Sequence, residues 1–143
     1  MSTNFLEADV GDVLAGVFRD SSGVVYAVNP TRETISELIF GLHEVETPPT
    51  VRLLAPGDAI KDVLADFILA GHAADLVDTE TLELRELADA PEASLLVAES
   101  AVVSLIAGED RVGGLTATDP AFVDDLRGRY ESEWADAEAY SLR

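Results

Sequence analysis

Cysteine is absent from this chain, tryptophan and methionine occur once each, and histidine occurs twice in 143 residues. Without thiols there can be no disulfide and no thiolate metal site, and the composition suits a reducing compartment. Lysine is reduced to Lys61 alone. A chain so poor in cations lacks the basic footprint that phosphate-backbone binding requires, so these residues are not expected to hold DNA by themselves. No run of 18 apolar residues occurs, and the opening MSTNFLEADVGD has neither a basic leader nor a long apolar stretch. Neither a spanning helix nor a secretory signal is expected, and the expected location is cytoplasmic.

What the chain has is acid. Twenty-eight Asp and Glu stand against nine Lys and Arg, a formal net charge of −19. Such a charge on a polar chain would signal disorder, but 48% of the residues are apolar and they recur periodically. The pattern implies a folded domain in an acidic shell. That shell suits a cytoplasm of molar salt, where screening shortens to about 3 Å and self-repulsion loses its cost. A halophilic archaeal source is expected. The length fits one domain spanning residues 1–143.

Along the chain, Val10, Val13, Leu14 and Val17 have helical spacing within residues 7–18, and GVVYAV (23–28) reads as a buried strand. Asn29 and Pro30 end that strand and open a helix whose one face carries Ile35, Leu38, Ile39 and Leu42. VRLLA (51–55) is a second strand. A crossover helix follows with Ile60, Val63, Leu64, Phe67 and Ile68 on its apolar face and Gly71 closing it. LELREL alternates like an edge strand, LLVAE and AVVSLIA form a hairpin joined at Glu99 and Ser100, GEDRVGG is a turn, and a last helix starts near Pro120. This order predicts an α/β fold with a mixed, mainly parallel sheet flanked by helices.

The sequence carries no GxSxG, P-loop or HExxH motif, and APGDAI has one glycine where a dinucleotide fingerprint needs three. The pairs Asp124 with Asp125 and Glu131 with Glu133 read as a solvated acidic helix face rather than a cation site. His43 and His72 fall at helix ends, as surface histidines do. No metal and no cofactor are expected. A ligand crevice, if there is one, belongs at the carboxyl ends of strands 23–28 and 51–55, lined by Asn29, Thr31, Pro56, Gly57 and Asp58, with Glu99 and Ser100 counted among the ligand-binding candidates. That position serves a small metabolite effector or the substrate of a small α/β enzyme equally well.

The segment LLVAESAVVSLIAG, a glycine-marked turn and a C-terminal helix resemble a degenerate phospholipase D-like half. In that fold a histidine nucleophile and a lysine lie two residues apart on a strand, followed by an aspartate. With Glu99 in the acidic position, Glu92 falls at the histidine and Ser94 at the lysine. A carboxylate there repels phosphate and the serine supplies no cation, so catalysis is not expected. SSGVVYAVNPT, VRLLAPGD, LLVAES and the terminal helix TDPAFVDDLRGRYESEWADAEAYSLR together resemble the N-terminal domain of haloarchaeal TbsP-type transcriptional regulators, relatives in outline of TrmB-like regulators. The resemblance implies a non-catalytic effector-sensing and dimerisation domain, with a DNA-binding winged helix C-terminal to it. A homodimer is therefore expected. Its candidate surfaces are Phe5, Leu6 and Val10 near the start, and Tyr130, Trp134 and Tyr140 near the end, where the stripe Phe122, Leu126, Tyr130, Trp134 drifts around its helix.

The charge alone generates a test. Nineteen net negative charges on one small domain should repel at low ionic strength and be screened above about 1 M salt. The melting temperature should rise steeply with potassium chloride in a scanning calorimeter, and a flat response would remove the halophilic reading.

Overall fold

In the computed structural model, the residues that can be described are 3–8, 23–45, 48–87, 94–99, 101–107 and 112–140. They build one sheet from β1 (Thr3–Ala8), β2 (Val24–Val28), β3 (Thr50–Ala55), β4 (Leu82–Glu86), β5 (Ser94–Val97), β6 (Val102–Ala107), β7 (Val112–Ala117) and β8 (Glu138–Ala139). Four helices accompany it: α1 (Arg32–Glu44), α2 (Gly57–Leu64), α3 (Phe67–Asp78) and α4 (Pro120–Asp136). Across the sheet the strands run β1-β7-β6-β5-β2-β3-β4-β8.

The α/β class and the flanking helices are as the sequence predicts, and β2 and β3 are parallel neighbours with Val25 opposite Val51 and Ala27 opposite Leu53. The proportion of parallel pairing is not. Only β2–β3 and β3–β4 are parallel, whereas β1–β7, β2–β5, β4–β8, β5–β6 and β6–β7 are antiparallel. Helices cross over between β2 and β3 and between β3 and β4, whereas the consecutive strands β5, β6 and β7 have no helix between them among the described residues and return antiparallel. Three strands, β1, β7 and β8, stand where the sequence pattern predicts none. VGG, expected in a turn, opens β7, where Gly113 and Gly114 pair with Ile106 and Leu105 on one side and with Glu7 and Leu6 on the other.

Apart from Thr50 and Arg52, strands β2 and β3 are apolar, and both their faces are covered. On one face Val25, Ala27, Val51, Leu53 and Ala55 pack with Ile35, Leu38, Ile39 and Leu42 of α1, Ile60 and Val63 of α2, and Leu69, Ala73 and Leu76 of α3. On the other, Tyr26, Val28 and Leu54 meet Val123, Tyr130 and Trp134 of α4. Complete burial of each Leu or Ile is worth about 1.5–3 kcal/mol against leaving it exposed.

Three expectations about the helices need correction. The crossover helix predicted through Ile68 is two helices. Asp66 accepts hydrogen bonds from the backbone N–H of Ile68 and Leu69 at 2.9 and 3.1 Å and so caps a fresh start. The restart turns Phe67 and Ile68 outward, 92% and 62% exposed, and leaves Gly71 inside α3 rather than closing a helix. Phe5 and Leu6 belong to an edge strand, while Val10 and the rest of the expected helix beyond Ala8 lie outside the described residues. The stripe on α4 drifts the other way from expectation. Phe122 is 40% exposed and Val123 takes its place in the core, while Tyr130 and Trp134 are buried at 3% and 4%. Both are covered by their own chain and offer no surface to a partner; Tyr140 is half-buried against the other core.

Trp134→Ala should therefore cost about 3–5 kcal/mol of folding stability as a core cavity, measured by denaturant unfolding. Burial pushes the Tyr130 phenol above its ordinary value, with Arg129 opposing and Glu133 adding to the rise. A raised folded value means that its contribution is intact below the unfolded tyrosine range near 10 and is lost as pH climbs through the folded value. Stability should fall above about pH 10, less steeply in Tyr130→Phe.

Candidate effector site

Strands β2 and β3 end where the sequence predicts, but the helix after β2 is capped by Thr31 and not opened by Asn29 and Pro30. Asn29 leaves β2 in a left-handed conformation with φ 48°; its N–H donates to the Leu54 carbonyl at 2.7 Å, and its own carbonyl accepts the Ser94 hydroxyl at 2.6 Å. The left-handed turn lets one residue tie β2 to β3 and to β5. Thr31 caps α1 by accepting from the Thr34 N–H at 3.2 Å. Pro56 precedes α2, where its carbonyl accepts from Ala59 at 3.0 Å, and Gly57 opens the helix with Asp58 exposed beside it.

Only part of the expected set comes together. β5 runs antiparallel to β2, with Val28 opposite Leu95 and Tyr26 opposite Val97, so Glu99 follows β5 at the far end of β2. There its carboxylate leans over Gly23, where a Cβ would collide with it. Ser94, which the resemblance placed at the lysine position, sits beside Asn29 instead, and Ser100 and Glu92 lie outside the described residues.

A cavity of about 630 Å³ opens beyond β3 and β4, lined by Gly57, Glu86, Leu87, Glu133, Asp136, Ala137 and Glu138. Gly57 is its one contribution from the predicted set. Four carboxylates and the C-terminal end of α4 give it a negative wall, which repels anions. Glu133 also pairs with Arg129 at 3.7 Å, and Asp124, Asp125 and Glu131 stay on the exposed side of α4. Among the described residues no three His, Asp or Glu converge as metal ligands.

A second cavity, of about 570 Å³, wraps the free part of the β4 edge and reaches α4 at Trp134. Arg52, Glu83, Arg85, Trp134 and Tyr140 line it. Period two explains the grouping: Arg52 lies opposite Glu83 on the neighbouring strand and beside Tyr26 on the other, all on the face away from α1. Arg52 donates from Nη1 to the Tyr26 hydroxyl at 3.0 Å, and Arg127 of α4 donates from Nη1 to the Val24 carbonyl at 3.0 Å. Arg85 donates from Nη1 to the Trp134 carbonyl, with its guanidinium 4.5 Å from the Trp134 ring centre. Arginines inside alternating strands were the available signal; polar residues at strand positions that should face a helix are unusual enough to mark.

Both histidines lie elsewhere. His43 of α1 and His72 of α3 stack 4.0 Å apart, with Phe40 edge-on to His72 and Asp75 3.8 Å from His43.

The family model described as the N-terminal domain of TbsP-like transcriptional regulators matches residues 2–143. No curated protein sequence matches the chain. Among solved structures, the archaeal chromatin protein TrmBL2, described as showing a novel mode of DNA binding, aligns with a TM-score of 0.67 at 12% identity, over 98% of this chain and 55% of its own. Nuc from Salmonella typhimurium, a phospholipase D family member, gives 0.61 at 8% identity over 97% of both chains. NucT from Helicobacter pylori gives 0.65 at 8% over 97% and 99%. At these identities the likeness is one of fold, and the chain spans about half the length of TrmBL2.

The left-handed turn at Asn29 yields a clean comparison. Asn29→Gly and Asn29→Ala both delete the side chain, and only alanine carries a Cβ into the strained region. The alanine variant should unfold about 1 kcal/mol more easily than the glycine variant in parallel denaturant titrations.

Proposed function

Given that the chain belongs to the family of TbsP-like transcriptional regulator N-terminal domains, we propose that it is the non-catalytic, effector-sensing and dimerising part of a cytoplasmic regulator of metabolism from a halophilic archaeon. DNA is read by a part of the regulator outside these 143 residues, since a surface of charge −19 would repel a phosphate backbone. No helix among the described residues is long and apolar enough to cross a membrane.

The observation that carries the non-catalytic reading is the place of the histidines. The phospholipase D-like reaction uses a histidine on a central strand, and the only two in this chain are on α1 and α3, stacked on each other. Ser94 is held by the Asn29 carbonyl and is no substitute for a nucleophile activated by a base. This favours regulation over the alternative of a small cytoplasmic α/β enzyme with its site at the carboxyl ends of β2 and β3. For dimerisation the support is topological. β1 ends the sheet order and pairs only with β7 among the described strands, so its outer edge can accept a strand from a second copy. Membership of Phe5 and Leu6 in β1 supports assigning them to such an interface.

Light scattering in 2 M potassium chloride should show a dimer that dissociates on dilution. Neighbouring strand residues send their N–H groups to opposite edges, so of Phe5→Pro and Leu6→Pro one should break the β1–β7 ladder and the other should leave a folded monomer. A monomer at every concentration would defeat the dimer. Turnover of bis-p-nitrophenyl phosphate should stay at the buffer rate; hydrolysis lost in Ser94→Ala would defeat the non-catalytic reading.

A further inference from the structure

We propose that the cavity between the β4 edge and α4 is a binding site for a small oxyanion, a carboxylate or a phosphate monoester, gripped by Arg52 and Arg85 against Trp134. The proposal supplies a ligand class for the sensing role and takes its meaning from that role, but not its test.

The first argument is where the scarce cations are. Three of nine basic residues, Arg52, Arg85 and Arg127, crowd around Tyr26 and Trp134 in a chain of net charge −19. Solvation of the surface needs acid here, not base. Repulsion among these guanidinium groups costs energy that one carboxylate only partly offsets: Glu83 stands 3.5 Å from Arg52 Nε and is itself 41% exposed. Arg85 and Arg127 form no ion pair with a carboxylate among the described residues.

The second is orientation. Arg52 and Arg85 each spend Nη1 on the scaffold, on the Tyr26 hydroxyl and the Trp134 carbonyl respectively. What remains on each is the Nε and Nη2 edge, the fork that meets carboxylate or phosphate with two parallel hydrogen bonds. Arg52 Nε is buried without a hydrogen-bond partner; its 3.5 Å approach to Glu83 is an ion pair too long to satisfy it. Stacking on Trp134, at 5.5 Å for Arg52 and 4.5 Å for Arg85, holds both forks in place before a ligand arrives.

The third is size and contrast. A volume of about 570 Å³ lies in the range of metabolite pockets and exceeds what a bare ion needs. Glu80 and Glu83 also line it, so an arriving oxyanion displaces Glu83 from Arg52, and the exposed Glu83 can turn to solvent. The neighbouring cavity at Gly57 has four carboxylates and no cation in its wall and would exclude the same ligand.

Trp134 is the only tryptophan, so its emission reports on the site directly. Inorganic phosphate, glycerol 3-phosphate, malate and uncharged glycerol would be titrated into the protein at constant ionic strength in potassium chloride. Saturable change with glycerol 3-phosphate or malate, absent with glycerol, is expected, and the stronger of the two identifies the phosphate or the carboxylate as the preferred group. Arg52→Gln and Arg85→Gln should each weaken binding at least tenfold, while Arg129→Gln, which removes an exposed arginine outside the cavity, should leave it within twofold. Circular dichroism checks that each variant is folded, and Arg52→Lys, which keeps the charge but loses the fork, stands in if Arg52→Gln is not. Linear or absent responses in the wild-type protein, an equal response to glycerol, or unchanged binding in the folded arginine variants would overturn the site. None of these outcomes touches the dimer or the phosphodiester assay, so failure of the site and failure of the regulatory reading remain distinct.

Discussion

Burial of β2 and β3 on both faces is the constraint from which the remaining structure follows. Their inward and outward residues are alike apolar, with Val25, Ala27, Leu53 and Ala55 on one side and Val28 and Leu54 on the other, all fully enclosed. Neither set can face water, so the sheet must be covered twice. Three helices cover one side because the two parallel links, β2 to β3 and β3 to β4, each need a crossover. Among the described residues, α4 is the helix that packs on the other side. The cavities on that side lie where α4 runs out, one bordered by its last turn and one by Trp134.

That uneven cover also decides where charge sits. On the three-helix face every strand residue can be apolar. On the α4 face Arg52, Glu83 and Arg85 are half-buried, while Tyr26 in the same row is enclosed. Guanidinium groups suit such a place because their planar faces stack on an indole while their edges stay polar. In a chain of net charge −19 this is a local reversal of sign, and it stands next to a cavity whose charged lining residues are all acidic. Two openings of similar size on one side of a sheet thus differ in the charge they can accept.

Chemistry inherited by fold and chemistry carried by residues separate clearly. The frame is shared with Nuc and NucT at 8% identity, which is a statement about packing layers and says nothing of reaction. Function sits in side chains placed on the frame. Here the two histidines are on α1 and α3, and the strand pair β5–β6 carries Ser94 tied to the Asn29 carbonyl.

The sequence by itself determined the elements whose signal is local: the two buried strands, their crossovers, the end of β2 at Asn29, and the acidic shell that argues against DNA as a ligand for these residues. Family membership was legible too, since it rests on the order of those elements. Only the tertiary structure decided what depends on residues far apart in the chain. Glu99 looked like a neighbour of Asn29 until the antiparallel register of β5 sent it to the other end of β2. Trp134 looked like an interface residue because its helical neighbours are acidic, yet it caps a surface formed by Tyr26, Arg52 and Arg85, which no window around position 134 contains. Gly113 and Gly114 read as a turn because glycine has no side chain to declare a strand, and pairing partners on both sides make it one. Periodicity reports which face of an element is apolar; which element will cover that face is settled by packing across the fold.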